Sequence, residues 1–120
     1  MLGRLKRRAE FVRAAKAGRK AARDMLVLQA LPRNDSETRL GFTATKKIGN
    51  AVARNRAKRR LRAAARLHLA AAPAPGFDLV LIARDGTGSC PFPALLADFE
   101  SAMRKAGVPR PAAQPQSSGA

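Results

Sequence analysis

The segment between residues 46 and 62 carries the side chains most suited to chemistry, and that chemistry is the binding of phosphate. Arginine and lysine dominate this segment, and neither aspartate nor glutamate occurs between Thr38 and Phe77. A guanidinium group binds a phosphate through two parallel hydrogen bonds, and positive charge without acidic neighbours is stabilised by a polyanion. The segment therefore predicts a surface for nucleic acid.

The spacing of apolar and basic residues predicts one long amphipathic helix from about Ala51 to Ala71, with Asn50 as its N-cap. Its outer arc holds Asn55, Arg56, Lys58, Arg59, Arg62 and Arg66, and its inner arc holds Ala53, Ala57, Leu61, Ala64 and His68. Arg54 and Arg60 fall between the two arcs. A solvated charged face is the alternative interpretation, but such a face normally mixes signs and gains ion pairs one turn apart.

Composition favours a binding protein over a nuclease that acts alone. The chain has 24 lysines and arginines against 8 acidic residues, a net charge of +16. Its acidic residues form no closely spaced pair suited to two-metal hydrolysis, Cys90 is the only cysteine, and we expect His68 to be a packed residue. No segment has the ~20 apolar residues of a membrane span, and no signal peptide is evident. We expect a cytoplasmic protein without a membrane partner.

The remaining elements predict an α+β domain, or a compact α/β sandwich, with helices packed on one sheet. We expect a short helix over residues 9–17 and strands over residues 25–31, 39–46 and 77–83, the first two strands pairing antiparallel. Pro93 suits the start of a last helix, and Gly107 suits its end. The predicted domain covers residues 1–107, and the Pro-, Ser- and Gln-rich residues 108–120 predict a disordered tail.

Residues 46–62 resemble the signature of the bacterial ribonuclease P protein subunit. The resemblance rests on Lys46-Lys47-Ile48-Gly49-Asn50-Ala51-Val52, Arg54-Asn55-Arg56, Lys58-Arg59 and Arg62 in one gap-free run. Residues 5–18 look like the first helix of the family, and residues 77–84 look like its last strand. The resemblance implies a sheet of roughly four strands with three helices, in which the basic helix makes a left-handed crossover between parallel strands.

The resemblance also implies a function as the protein subunit of a ribonucleoprotein endonuclease. In that family a catalytic RNA subunit uses Mg²⁺, and the protein binds this RNA and the 5′ leader of precursor tRNA. We expect a free monomer that joins one RNA, and the sequence assigns no side chain of the protein to Mg²⁺. By position, the residues that face the RNA subunit are Lys47, Arg54, Asn55, Arg56, Lys58, Arg59, Arg62 and Arg66.

A cleft between the first helix and the sheet takes the single-stranded leader in this family. The matching positions are Phe11, Ala15, Val27, Gln29, Thr43, Thr45 and Lys46. Ala15 stands where an aromatic residue is common, and Gln29 stands where tyrosine is common. Because aromatic stacking contributes ~1–3 kcal/mol per base, we expect leader binding here to depend more on phosphate contacts and hydrogen bonds. Phe11 is either the main stacking residue or a core residue.

Two other classes of protein share the short length and the strong charge. A ribosomal or other structural RNA-binding protein does not call for the Arg-Asn-Arg spacing together with cleft strands. A protein that reads the DNA major groove would usually bring a dimer surface or a second helix of a helix-turn-helix, and neither is evident.

Overall fold

The computed structural model describes residues 2–109, which form three α-helices and five strands. In chain order these are β1 (Leu2–Arg4), α1 (Arg8–Ala17), β2 (Arg19–Ala22), β3 (Leu26–Pro32), β4 (Thr38–Thr43), α2 (Ala51–Ala71), β5 (Phe77–Ala83) and α3 (Phe92–Lys105). A single 3₁₀ turn, Lys46–Ile48, precedes α2. The predicted α+β class is confirmed.

The strands form one mixed sheet in the order β1-β4-β5-β3-β2. Strand β4 is parallel to both β1 and β5, whereas β3 is antiparallel to β5 and β2. Helix α2 thus connects two parallel neighbours, β4 and β5, the connection for which the resemblance implies a left-handed path.

The sheet has five strands, since two short edge strands, β1 and β2, join the others; neither carries an apolar pattern that would predict it from the sequence. Two expectations about the strands before α2 are wrong. The strands predicted over residues 25–31 and 39–46 do not pair with each other, because β5 lies between them. Strand β5 is apolar on both sides apart from Asp78, and a strand covered on both faces belongs at the centre of a sheet. The second of these strands also ends at Thr43, since the chain then turns into the 3₁₀ helix.

Helices cover both faces of the sheet and leave the basic side of α2 outward. Helices α2 and α3 pack on Leu28, Leu79 and Leu81, which are fully buried, whereas α1 packs on Val80 on the opposite face. The buried residues of α2 are Ala57, Leu61, Ala64, Ala65 and Leu69. The small size of the three alanines lets the helix backbone lie close to the sheet. Ala53 and His68, predicted for the same arc, are half-buried.

Local capping explains where two helices begin and end. The Asn50 side chain accepts a hydrogen bond of 2.9 Å from the Ala53 amide, which confirms the predicted N-cap. At the end of α3, Gly107 has φ 77°, and the amides of Gly107 and Val108 donate to the carbonyls of Arg104 and Met103. Val108 is buried in the core, so packing continues past the predicted boundary at residue 107. Residues 110–120, the rest of the predicted tail, lie outside the described part.

A network of ion pairs fixes α1 and the β3–β4 turn to the sheet. Asp78 is 1% exposed and accepts hydrogen bonds from Arg39 at 2.8–2.9 Å and from Arg33 at 3.0 Å. Arg39 also donates to Glu10 of α1 at 2.6 Å. Burial raises the pKa of Asp78, but the hydrogen bonds from the two guanidinium groups outweigh it and hold the pKa below its ordinary value.

Two more carboxylates around this network are strongly acidic. The backbone amides of Arg7 and Lys6 donate to Glu10 and, with Arg39, lower its pKa to about 2. Arg33 lowers the pKa of Asp35 to about 2. Both carboxylates therefore stay ionised well below neutral pH.

Between residues 2 and 109, no helix is long and apolar enough to cross a membrane.

Candidate nucleic-acid interface

Most of the predicted RNA-facing side chains of α2 reach solvent. Asn55, Arg56, Arg59 and Arg66 are exposed, whereas Lys58 and Arg62 are half-buried. Arg62 folds down toward the sheet, and its guanidinium carbon lies 5.3 Å from the centre of the Phe42 ring. Such a cation–π contact contributes ~0.5–1 kcal/mol at a partly exposed site and holds the guanidinium in one place.

The start of α2 positions the first residues of the basic surface. Arg54 is half-buried, and its Nη1 donates to the Gly49 carbonyl at 3.0 Å. Lys47 is exposed on the 3₁₀ turn just ahead of the helix. Gly49 has φ 138°, a conformation that favours glycine, and it turns the chain from Lys47 into the helix. This local geometry places Lys47 and Arg54 near the same end of α2.

Arg60 has a structural role that distinguishes it from its neighbours. Its guanidinium donates to the carbonyls of Thr87 at 2.8 Å and Cys90 at 2.5 Å. Thr87 is fully buried and binds the backbone of Met25 and Arg84 through its hydroxyl. Arg60 therefore ties α2 to the loop after β5.

The basic surface carries no internal counter-charge in the part of the chain that the structure describes. None of the eight predicted RNA-facing residues lies within 4.0 Å of a carboxylate there, and the acidic groups that form ion pairs do so with Arg33, Arg39 or His68. Uncompensated guanidinium and ammonium groups on one surface repel each other and attract a polyanion.

The opposite face of the sheet forms the floor of the predicted cleft. Thr43, Ile82 and Val27 are direct neighbours across β4, β5 and β3, and all three are half-buried. The next row holds Gly41, Val80 and Gln29. The structure thus brings Val27, Gln29 and Thr43 together on one face.

Helix α1 forms the wall of this cleft. Phe11 lies on Gly41: a Cβ atom at Gly41 would stand 2.6 Å from the Phe11 ring, so only glycine allows this contact. Phe11 packs against the cluster of Leu5, Ala14 and Val80 yet stays half-buried. Phe11 is therefore partly packed as a core residue, whereas its role as a stacking residue stays a prediction.

One flank of α1 is free for a ligand. Glu10 binds Arg39 on one side of the helix, and the other side presents Ala15 and Val12, the latter 39% exposed. Since side chains three or four residues apart share a flank, Val12 and Ala15 give this side of α1 a small, aliphatic surface. Thr45 and Lys46 are exposed beyond the end of β4 and do not belong to either row.

Sequence reasoning missed two apolar residues of the cleft. The alternation of β5 places Ile82 on the same face as Val80, a signal that a period of two would have supplied. Val12 gave no signal of its own, since an isolated valine on a short helix is equally consistent with packing.

The described residues offer no metal site of their own. Within residues 2–109, no group of three or more His, Cys, Asp or Glu side chains lies close enough together to share an ion. His68 Nδ1 lies 3.3 Å from Glu100 Oε2, and the imidazole and Phe99 rings are nearly perpendicular with their centroids 5.3 Å apart. This packing explains His68 without a catalytic role.

Comparisons with known proteins point to one family. Residues 2–107 match the model of the ribonuclease P family. The ribonuclease P protein component of Gluconacetobacter diazotrophicus is 57% identical over 106 residues, covering 88% of this chain and 91% of that protein. The counterpart from Ruegeria pomeroyi is 52% identical over 111 residues, covering 89% and 88%.

Solved structures agree with the sequence comparisons. The RNase P protein of Staphylococcus aureus superposes with a TM-score of 0.75 at 29% identity, covering 88% of this chain and 95% of that one. The RNase P protein of Thermotoga maritima gives a TM-score of 0.74 at 25% identity, with coverage of 85% and 96%.

Proposed function

Because the chain belongs to the ribonuclease P protein family, we propose that it binds a catalytic RNA subunit through α2 and the 5′ leader of precursor tRNA through the α1 cleft. The complex then hydrolyses the phosphodiester between leader and mature tRNA. The resemblance inferred from residues 46–62 is confirmed at the level of the family.

The observation that carries this proposal is the presence of two separate surfaces on opposite faces of one sheet. The α2 surface is rich in arginine without a carboxylate partner, which suits the phosphates of a folded RNA. The α1 cleft is partly apolar, with Gln29 and Thr43 to hydrogen-bond bases or ribose. Two surfaces allow the protein to hold both RNAs at the same time.

The chain contributes binding and orientation to the reaction. When bound through the RNA subunit, Mg²⁺ would supply the positive charge that such a hydrolysis needs. The residues described here lack the clustered carboxylates of a Mg²⁺ site, so no step is assigned to a metal bound by the protein. Arg54, Arg56 and Arg59 neutralise phosphates of the RNA subunit, and the cleft fixes the leader so that the scissile bond has one orientation.

The proposed assembly is one protein per RNA subunit, with a monomer as the free form, in the cytoplasm. The strong net charge of +16 supports a free monomer, since like-charged chains repel one another at low ionic strength.

Reconstitution tests the proposal directly. Purified protein is combined with a cognate RNA subunit and a precursor tRNA labelled in its 5′ leader. We expect leader removal to yield a tRNA with a 5′ phosphate at modest Mg²⁺ only when both subunits are present. Cleavage by RNase-free protein alone would contradict the division of labour. Stronger binding to ribosomal RNA or duplex DNA than to the RNA subunit would favour one of the other classes.

A further inference from the structure

A cavity lined in part by arginines lies on the α2 side of the sheet, between α2 and the edge strand β1. Its volume is about 370 Å³, and it is lined by Leu2, Leu40 and Phe42 and by Arg4, Arg62 and Arg66. Its lining therefore combines apolar side chains with guanidinium groups. No residue of β1 was among the predicted binding residues.

Strand register explains why Arg4 faces this cavity. Arg4 lies directly opposite Leu40 in the parallel β1–β4 pair, and Leu40 is buried beneath α2. Gly3 points to the other face, where a Cβ atom would meet the Glu37 carboxylate at 2.8 Å. Alternation along the strand thus places Leu2 and Arg4 on the α2 side and leaves the Glu37 carboxylate beside Gly3 on the opposite side.

The cavity has positive charge without an internal counter-ion. Arg4 and Arg66 are exposed, and within residues 2–109 neither forms an ion pair, nor does Arg62. Three guanidinium groups around one cavity repel each other until an anion enters. The stacking of Arg62 on Phe42 holds one of these groups against an aromatic face beside the opening.

Charge and shape together fit one nucleotide of an RNA chain. A phosphate suits two arginine forks, and a planar base suits the apolar side formed by Leu2, Leu40 and the Phe42 ring. An isolated phosphate would leave the apolar side unused, and a base pair inside a duplex could not reach it.

We propose that the groove between α2 and β1 binds one unpaired nucleotide of the RNA subunit, with its phosphate between Arg4 and Arg66 and its base beside the Phe42–Arg62 stack. This inference rests on the proposed function and extends the RNA surface from α2 to the edge of the sheet.

Replacing Arg4 tests the phosphate contact. The affinity of Arg4→Ala for the RNA subunit is measured over a salt series beside the wild type and the control Lys105→Ala, which changes an exposed charge at the far end of α3. We expect roughly tenfold weaker binding for Arg4→Ala, the loss of one charge-assisted contact. The slope of log affinity against log salt should become shallower by about 0.7–1, whereas Lys105→Ala should keep the wild-type slope. Equal effects of the two variants would overturn the proposal.

Two further measurements separate this site from general charge. Phe42→Leu should weaken binding without changing the salt slope, because it removes the ring but no charge; its unfolding curve checks that the fold persists. A photocrosslinking amino acid at position 2 should react with an unpaired nucleotide of the RNA subunit. Crosslinks confined to duplex segments, or none, would contradict the proposal. Wild-type processing in the same preparation would leave the proposed function standing.

Discussion

At the scale of single residues, Ala15 and Gln29 set this cleft apart from an aromatic one. Ala15 is exposed on the free flank of α1, and Gln29 is half-buried on the floor. With Val12, Val27 and Ile82 around them, the cleft offers aliphatic surface, the amide of Gln29 and the hydroxyl of Thr43. With no aromatic side chain beyond Phe11 at these predicted cleft positions, a single strand held here would depend on phosphate contacts and on hydrogen bonds more than on stacking.

Adding one ring to this flank should strengthen leader binding. In Ala15→Phe the new ring has space at an exposed position and can stack on a base, a gain of ~1–3 kcal/mol by analogy with other single-strand binders. The measurement is the dissociation constant of reconstituted enzyme for precursor tRNA with a leader. Mature tRNA without a leader is the control, and its affinity should not change. An equal gain for both RNAs would place the effect outside the cleft.

The two arginines of the Arg54-Asn55-Arg56 segment differ in their contacts within the protein. Arg56 is exposed, whereas Arg54 donates to the Gly49 carbonyl. We expect Arg54→Ala with Arg56→Ala to weaken binding to the RNA subunit at least tenfold, since two charge-assisted contacts are lost. The melting temperature should change little, because the helix keeps its Asn50 cap. Filter binding measures the affinity, and unchanged affinity would count against the assignment of α2.

At the scale of elements, the buried Asp78 joins β5 to β4 and to the β3–β4 turn. Arg39, its partner on β4, also donates a hydrogen bond to Glu10 of α1. Removing one member of a buried pair leaves an uncompensated charge, so Asp78→Asn should lower the free energy of unfolding at pH 7 by about 3 kcal/mol. Urea denaturation measures the change. The matched control is Asp85→Asn, which alters an exposed carboxylate in the turn after β5. Equal stability of the two variants would argue against the network.

The same network predicts acid sensitivity with a definite sign. The pKa values of Glu10 and Asp35 are lowered to about 2, and that of Asp78 is lowered as well. Carboxylates with lowered pKa values stabilise the fold above their unfolded-state pKa of about 4, and this contribution is lost as they take up protons. The free energy of unfolding should therefore fall between about pH 5 and pH 2. A stability that stays flat over that range would contradict the ion-pair geometry.

Elements also show how far the sequence alone can go. Helix α2 was predictable to the residue because Asn50 caps it and small apolar residues recur on one side. Its most arginine-rich region nevertheless contains Arg60, which binds the loop after β5, and no spacing rule separates Arg60 from Arg59. The half-buried pose of Arg62 depends on Phe42, a residue from another element, so only the folded chain reveals it.

Strand order was the part that local patterns could not supply. Strands β3 and β4 follow each other with a turn between them, a pattern that favours a hairpin. In the sheet, however, β5 lies between them, so the turn around Asp35 connects two strands that are not neighbours. The edge strands β1 and β2 are short and lack the apolar alternation that would mark them as strands. For the cleft, the resemblance named Val27 and Gln29, which the structure places on one face of β3, whereas only the folded chain shows the contact of Phe11 with Gly41.

At the scale of the whole molecule, electrostatics should dominate affinity for RNA. If about five phosphates are contacted, log affinity should fall with log salt at a slope of about −3.5 to −4.5. Titrations of the RNA subunit between low and moderate salt give this slope. Nearly salt-independent binding would contradict a surface built on uncompensated arginines, whatever the absolute affinity.

The central place of β5 also has a consequence for how the protein is made. Strands β3 and β4 meet only through β5, which follows α2 in the chain, so a nascent chain cannot close its sheet until residue 83 has left the ribosome. Until then α2 lacks most of its apolar partners, and its positive charge is presented close to ribosomal RNA. Synthesis of this protein thus passes through a stage at which the basic helix α2 is complete and the hydrophobic core is not.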